Sequence, residues 1–295
     1  MYPLISVIVN CHNGAKYLKS CIKSILNQKY KNLEIIFFDN YSSDNSKELI
    51  NQFKDSRIKY HFSKKKLPLY KARNRAIKKS SGPLIAFLDI DDWWDPKYLS
   101  SKKNFFTNKD YDYFYTNVSI YHEKNKNFIK YNKFDLPSGI IFNSLAKNYF
   151  IIISGLIITK KILEKEKLFN EKYNIIGDYD FLMRISKYAN AKSFNETLIF
   201  YRVHSDNFSK LNNKMYYYEY KDWYNRQKKI NDDNFQKNKG NFLLQLSKLE
   251  IIHHLYQKKT LKLLIKIIKF PNFISKIKYL FAFVLPMKIV NHFRK

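Results

Sequence analysis

The 295-residue sequence predicts an α/β fold: a mainly parallel, doubly wound sheet with helices on both faces, followed by a helical C-terminal appendage. Three observations predict it. Strand-length runs rich in Ile, Val and Phe alternate with stretches of helical periodicity across the first 95 residues. Most of these strands give way to turns of Asn, Asp, Ser or Gly. Beyond Met215 the pattern changes to lysines interleaved with aliphatic residues. These shifts predict one domain over residues 1–205 and a basic, amphipathic extension over residues 206–295.

Leu4-Ile5-Ser6-Val7-Ile8-Val9 reads as a buried strand closed by Asn10-Cys11-His12-Asn13-Gly14. Leu18, Cys21, Ile22, Ile25 and Leu26, spaced by three and four, form the stripe of the next helix. A second strand covers residues 33–38, with Asp39 to Asp44 as its turn. Ser43 or Asp44 is the expected cap of a helix covering Leu49, Ile50 and Phe53. Residues 58–62 form a third strand, and Lys64-Lys65-Lys66 a basic loop. The helix over residues 70–79 is stopped by Ser81-Gly82-Pro83. Leu84-Ile85-Ala86-Phe87-Leu88 then delivers Asp89-Ile90-Asp91-Asp92, and Pro96 offers a helix start. Later, residues 112–118 read as a strand, 138–147 as a short helix and 151–158 as a Gly-interrupted apolar stretch. A helix opens at Gly177-Asp178-Tyr179-Asp180, and the run from Leu198 to His204 is a strand presenting Arg202 and His204 near its end.

Three carboxylates within four positions, where a buried strand surfaces, mark a ligand site by position. Ligands of open α/β sheets lie beyond the carboxyl ends of the strands, and carboxylates one residue apart can share a hard divalent cation that also touches a phosphate. The alternative is a solvated turn with Asp95 as a cap beside Pro96. Downstream, Asp178, Leu182, Ile185 and Ala189 share one helix face, which puts a carboxylate beside the core stripe in the first turn. Such an acid either complements the helix dipole or serves chemistry. GxGxxG and Walker lysine loops are absent, so ordinary dinucleotide and P-loop readings lose their main support.

Two cysteines, Cys11 and Cys21, cannot frame a secreted disulfide scaffold, and a reducing cytosol is the simplest setting. Met1-Tyr2-Pro3-Leu4 leads straight into a strand with no basic region or cleavage site, so no signal peptide is expected. The formal charge of +29 raises a nucleic-acid reading. Lysines spread over solvated faces, in a chain rich in Lys, Asn, Ile, Phe and Tyr, account for much of that charge without a partner.

Taken in order, these residues resemble the family 2 glycosyltransferases, nucleotide-sugar enzymes of the GT-A fold. The resemblance runs over about residues 3 to 205. It is carried by Ile5-Ser6-Val7-Ile8-Val9 with Asn13-Gly14, Ser24-Ile25-Leu26-Asn27-Gln28, Glu34-Ile35-Ile36-Phe37-Phe38-Asp39-Asn40 and Ala72-Arg73-Asn74. It continues through Phe87-Leu88-Asp89-Ile90-Asp91-Asp92, Phe169-Asn170-Glu171, Gly177-Asp178-Tyr179-Asp180 and Tyr201-Arg202-Val203-His204. The resemblance implies an inverting, metal-dependent transfer from a nucleoside-diphosphate sugar to a hydroxyl of a growing surface glycan or lipid-linked acceptor. Asp91 would ligate Mn²⁺ or Mg²⁺, Asp89 would contact the donor ribose or the metal shell, and His204 would serve the metal or diphosphate. Asp39 and Asn40 would sit by base and ribose, Arg73 would steady the donor, and Asp178 would be the general base. The chain departs from the family at Asn40, where a second acid is frequent, at Gly177, where Glu often precedes the base, and at Asn10-Cys11, in place of Pro-Thr.

In the extension, Lys258, Lys262, Lys266 and Lys269 line one face, opposite Leu261, Leu264, Ile265 and Ile268. The apolar run from Tyr279 to Leu285 is too short to span a bilayer. Two readings follow: peripheral contact with an anionic membrane at the inner face of the cytoplasmic membrane, or a helical cover with its lysines in water. No nucleic acid is expected as a partner; a basic nucleic-acid binder and a donor-binding homologue without activity are the rival readings.

Overall fold

The computed structural model describes residues 2–208, 212–255 and 260–284. Met1, Ser209, Lys258, Leu285, Pro286 and Lys288, which entered the sequence reading, lie outside the described residues. The chain divides into two compact units, Met1–Asn207 and Phe208–Lys295.

The first unit begins β1 (Ile5–Cys11), α1 (Ala15–Leu26), β2 (Leu33–Asp39), α2 (Ser46–Asn51), β3 (Ile58–Phe62), α3 (Leu69–Ile77) and β4 (Leu84–Phe87). β5 (Trp93–Trp94), β6 (Tyr113–Thr116), β7 (Ser119–His122), β8 (Asn127–Lys130), α4 (Phe142–Lys147), β9 (Leu156–Thr159) and α5 (Lys160–Lys165) come next. It closes with α6 (Gly177–Ile185), β10 (Ala191–Phe194) and β11 (Ile199–Val203). Among the described residues the larger sheet has seven strands in the order β10-β6-β9-β4-β1-β2-β3. Every residue of β2 and β4 is buried, as expected of strands covered on both faces. Ile5, Val7, Val9 and Cys11 on one face of β1 pack with Leu18, Cys21, Ile22 and Ile25 of α1.

The structure departs from expectation in several places. β9 runs antiparallel to both its neighbours, β4 and β6, so the sheet is mixed. No α-helix starts at Pro96: Trp93-Trp94 instead pairs with β11 in a second sheet, β5-β11-β7-β8, and a short 3₁₀ turn follows at Ser100–Lys102. Burial decides this, because Trp94 is 1 % exposed and its indole N–H donates to the Ser154 carbonyl at 2.9 Å. Asn45, rather than Ser43 or Asp44, is the N-cap residue of α2, and Asp44 just before it serves two helices. Its Oδ1 accepts from the Ser46 N–H at 3.1 Å and its Oδ2 from the Ala15 N–H at 3.0 Å, tying the starts of two helices.

The second unit contains α7 (Asn213–Ile230), α8 (Asp233–Leu255), α9 (Leu261–Ile268) and α10 (Phe273–Val284). α7 ends at Asn231, whose left-handed φ of 56° suits an Asn cap. Trp223, Phe235 and Phe242 pack α7 on α8. In α9 the buried side chains are Leu263 and Ile267, while Leu261, Ile265 and Ile268 of the predicted stripe are exposed. The stripe read in the sequence thus stays largely outside, because α9 packs on α8 and α10 through a core of Ile251, Leu255, Leu263, Ile267, Phe270 and Tyr279.

Candidate active site

β1, β2 and β4 run parallel, so their carboxyl ends open on one edge of the sheet. Asp39 closes β2 there, and Asp89 to Asp92 follow β4. Strand alternation puts Asn10 on the face of β1 opposite Val9 and Cys11.

The acids after β4 take different partners. Asp89 Oδ1 is 2.6 Å from Nη2 of Arg73, which is 2 % exposed. Asp91 Oδ2 lies 3.0 Å from His204 Nε2 and accepts from the Asn207 amide at 3.2 Å. Asp92 is fully buried; it accepts from the Ser154 hydroxyl and, at 2.9 Å, from the Arg202 backbone N–H. Burial, reinforced by Asp91 and Asp89, pushes its carboxyl well above the usual range. Asp92 therefore ties the loop to β11, and Asp89 and Asp91 form the open part of the cluster.

β11 presents the other wall. The Arg202 Nε–H donates to the Asp91 carbonyl at 2.8 Å, and its guanidinium lies 4.5 Å from the Trp93 ring centre and 4.9 Å from that of Tyr17. Tyr17 also packs on His204, with ring centres 4.8 Å apart. His204 and Asp91 thus meet within an aromatic and cationic frame built from α1, β5 and β11.

Asp178 stands half-buried in the first turn of α6, above Leu182 and Ile185. Both its oxygens are held: Tyr70 of α3 donates to Oδ1 at 2.8 Å and Tyr149 to Oδ2 at 3.1 Å. Burial, with the Asp178 charge adding to it, pushes both phenols well above their ordinary value, so they remain neutral donors. α3 links Asp178 to the acids after β4, because Arg73, one turn on from Tyr70, reaches Asp89. Burial raises the Asp89 carboxyl, Arg73 opposes that, and the charges of Asp91 and Asp178 both add to it.

Of the expected residues, Arg73 meets Asp89 and Asp91 meets His204, whereas Asp39 and Asn40 take separate partners beyond β2. Asp39 accepts from the Ser42 N–H at 2.8 Å and the Tyr60 hydroxyl at 3.1 Å. Asn40 turns its amide to the Leu67 backbone, donating to its carbonyl and accepting from its N–H, each at 2.9 Å. Arg73 reaches Asp89, and its Nη1 is buried with no hydrogen-bond partner. The Asn10 amide likewise has both its N and O buried and unpartnered. Orphaned buried polar groups at a strand edge fit a polar ligand.

Sequence reasoning missed Asn10, Tyr70, Tyr149 and Asn207. An amide at the end of an apolar run was a signal for Asn10; the others pair across more than a hundred residues, or sit in loops, with no periodic signature.

Among the described residues, no group of three or more His, Cys, Asp or Glu side chains converges as a closed metal cage. Asp91 with His204 is an open pair instead. A carboxylate and an imidazole would suit a divalent ion that takes its other ligands from outside the protein.

The sequence model of "Glycosyl transferase family 2" matches residues 6–186. The Escherichia coli protein "UDP-Glc:alpha-D-GlcNAc-diphosphoundecaprenol beta-1,3-glucosyltransferase WfaP" is 32 % identical over 212 residues, covering 70 % of this chain and 80 % of the relative. Among solved structures, TarS 1–349 of S. aureus in complex with UDP-GlcNAc matches with a TM-score of 0.63 at 16 % identity, over 94 % of this chain and 79 % of the other. The mannosyltransferase PcManGT from Pyrobaculum calidifontis, in complex with GDP-Man and Mn²⁺, matches with a TM-score of 0.63 at 12 % identity, over 96 % of this chain and 86 % of its own. At these identities the two structures show the GT-A-type fold.

Proposed function

The chain belongs to glycosyl transferase family 2 and is an enzyme of that class, and on this premise we propose that it transfers a sugar, with inversion, from a nucleoside-diphosphate donor to a hydroxyl of a lipid-linked or growing surface glycan. The observation that supports the reading is the link through α3: Tyr70 donates to Asp178 at 2.8 Å, and Arg73, one turn on and 5.1 Å from the Tyr70 ring centre, reaches Asp89 at 2.6 Å.

In this reading the donor lies along the sheet edge. Asp39 and the Asn10 amide take its nucleoside, and Arg73 holds Asp89 toward the ribose. Asp91 and His204 would hold a Mn²⁺ or Mg²⁺ ion, which would supply Lewis-acid neutralisation of the leaving diphosphate. Asp178 takes the proton from the acceptor hydroxyl as it attacks the anomeric carbon from the side opposite the diphosphate. One base and in-line attack give inversion. Tyr70 and Tyr149 fix both carboxylate oxygens, which holds the base in one orientation.

The name of the Escherichia coli relative supports a lipid-diphosphate acceptor. Such an acceptor would bring the enzyme into peripheral contact with an anionic membrane at its cytoplasmic face. The test is a panel of nucleoside-diphosphate sugars scored for Mn²⁺-dependent thermal stabilisation and for transfer. Wild type is expected to be stabilised by one donor class and to transfer it; Asp178→Ala should keep the stabilisation and lose transfer. Stabilisation by no donor would sink the reading.

A further inference from the structure

In α9 and α10 one apolar face is already spent. Leu263, Ile267, Phe270 and Tyr279 turn inward to Ile251 and Leu255 of α8. A second apolar stripe remains on each helix. On α9 it is Leu261, Ile265 and Ile268, spaced i, i+4, i+7; on α10 it is Phe273, Ile277 and Val284. Leu261 is 73 % exposed, Phe273 70 % and Val284 79 %, so these side chains stand in water rather than at the edge of a core. Scattered exposed apolar residues need no explanation, but a stripe on each of two helices packed together does.

The charge around them has one sign. Between Leu261 and Val284 there are five lysines, Lys262, Lys266, Lys269, Lys276 and Lys278, and no Asp or Glu. Lys266 is taken up by Glu250. Lys262, Lys269 and Lys278 are exposed and Lys276 half-buried. Pro271 between the helices breaks the run, so neither forms a long apolar rod. No helix among the described residues is long and apolar enough to cross a membrane. Exposed apolar stripes bordered by lysines fit a surface that is apolar below and anionic above, which is the headgroup boundary of a bilayer.

We propose that the exposed stripes of α9 and α10, with Lys262, Lys269, Lys276 and Lys278, form a docking surface for an anionic lipid bilayer. This deepens the reading of a lipid-linked acceptor and rests on it only for its purpose, since binding can be measured without transfer. The surface inserts Leu261, Ile265 and Phe273 among acyl chains while the lysines meet phosphate headgroups.

The experiment is flotation of the full-length protein with vesicles of phosphatidylcholine alone or with about one third phosphatidylglycerol, at low and high salt. Wild type should bind the anionic vesicles and bind the neutral ones at least about tenfold more weakly. Leu261→Ser/Ile265→Ser/Phe273→Ser should lose binding to both, and Lys262→Gln/Lys269→Gln/Lys276→Gln/Lys278→Gln should lose the preference for anionic lipid. Both variants should keep the wild-type circular dichroism and unchanged transfer to a short water-soluble acceptor. Wild type that ignores anionic vesicles, or binding that both variants retain in full, would overturn the proposal. So would sedimentation showing a dimer that the serine variant dissolves, with no vesicle binding: the stripes would then cover a second copy of the chain. Vesicle binding by a wild type that transfers no sugar would uphold the surface and remove the catalytic reading instead.

Discussion

The Tyr70 hydroxyl lies 2.8 Å from Oδ1 of Asp178, joining α3 to α6 across 108 residues of sequence. With Tyr149 on the other oxygen, the carboxylate cannot rotate without breaking a hydrogen bond. If Asp178 is the base, Asp178→Asn should lower kcat by about 10² to 10⁴-fold. Tyr149→Phe removes one restraint and leaves the base, so it should lower kcat by about tenfold with the donor KM unchanged. A rise in KM at constant kcat would assign Tyr149 to binding.

Gly177 opens α6 directly under the Tyr70 ring. A Cβ at this position would overlap Cδ2, Cγ and Cε2 of that ring. A side chain at position 177 therefore has no room beside this ring. Gly177→Ala should therefore displace Tyr70 and lower both thermal stability and kcat, with Tyr70→Ala/Gly177→Ala restoring the stability lost to the overlap. Additive losses in the double variant would show that the ring and the glycine are uncoupled.

Asp91 and His204 meet at 3.0 Å although they lie 113 residues apart. Asp91→Ala should abolish stabilisation by donor with Mn²⁺. If His204 ligates the ion, His204→Ala should weaken that stabilisation by about 1 to 2 kcal/mol, because the imidazole and its aromatic packing on Tyr17 are lost together. Calorimetric titration of nucleoside diphosphate, with and without Mn²⁺, reads both. Equal stabilisation of wild type and Asp91→Ala would remove Asp91 from the metal site.

Glu34 is buried at the far end of β2, opposite the active edge. Burial alone would raise its carboxyl, but Lys59, Ser6 and Ser81 outweigh it and hold it at about 2, below the ordinary 4.5. The folded value is depressed, so the stabilisation is fully present above about pH 4.5 and is lost as pH falls toward 2. Its size is on the order of 3 kcal/mol. Urea unfolding at pH 7 and pH 3 should show the loss in wild type and a smaller one in Glu34→Gln. Identical pH dependence in the two would exclude Glu34 as its source.

Much of this arrangement was legible in the sequence. The strands β1 to β4, the helices between them and the turn carrying Asp89 and Asp91 follow from apolar runs and spacings within a dozen residues, where local sterics and burial decide. The same periodicity put Asp178 in the first turn of a helix beside Leu182. Asn40 shows the boundary: its position after β2 was readable, but its engagement with Leu67 depends on a loop 27 residues away.

Sequence alone thus determined which segments are strands and helices in the first ninety residues and where its acids emerge. Only the tertiary structure decided that β9 runs antiparallel, that Trp93-Trp94 joins β11 in a second sheet, that Tyr70 and Tyr149 hold Asp178, and that α9 turns Leu263 rather than Leu261 inward. The reason is physical. Periodicity fixes that a face must be buried, whereas its partner is chosen by packing and hydrogen bonding among residues far apart in the chain, and those energies have no local signature.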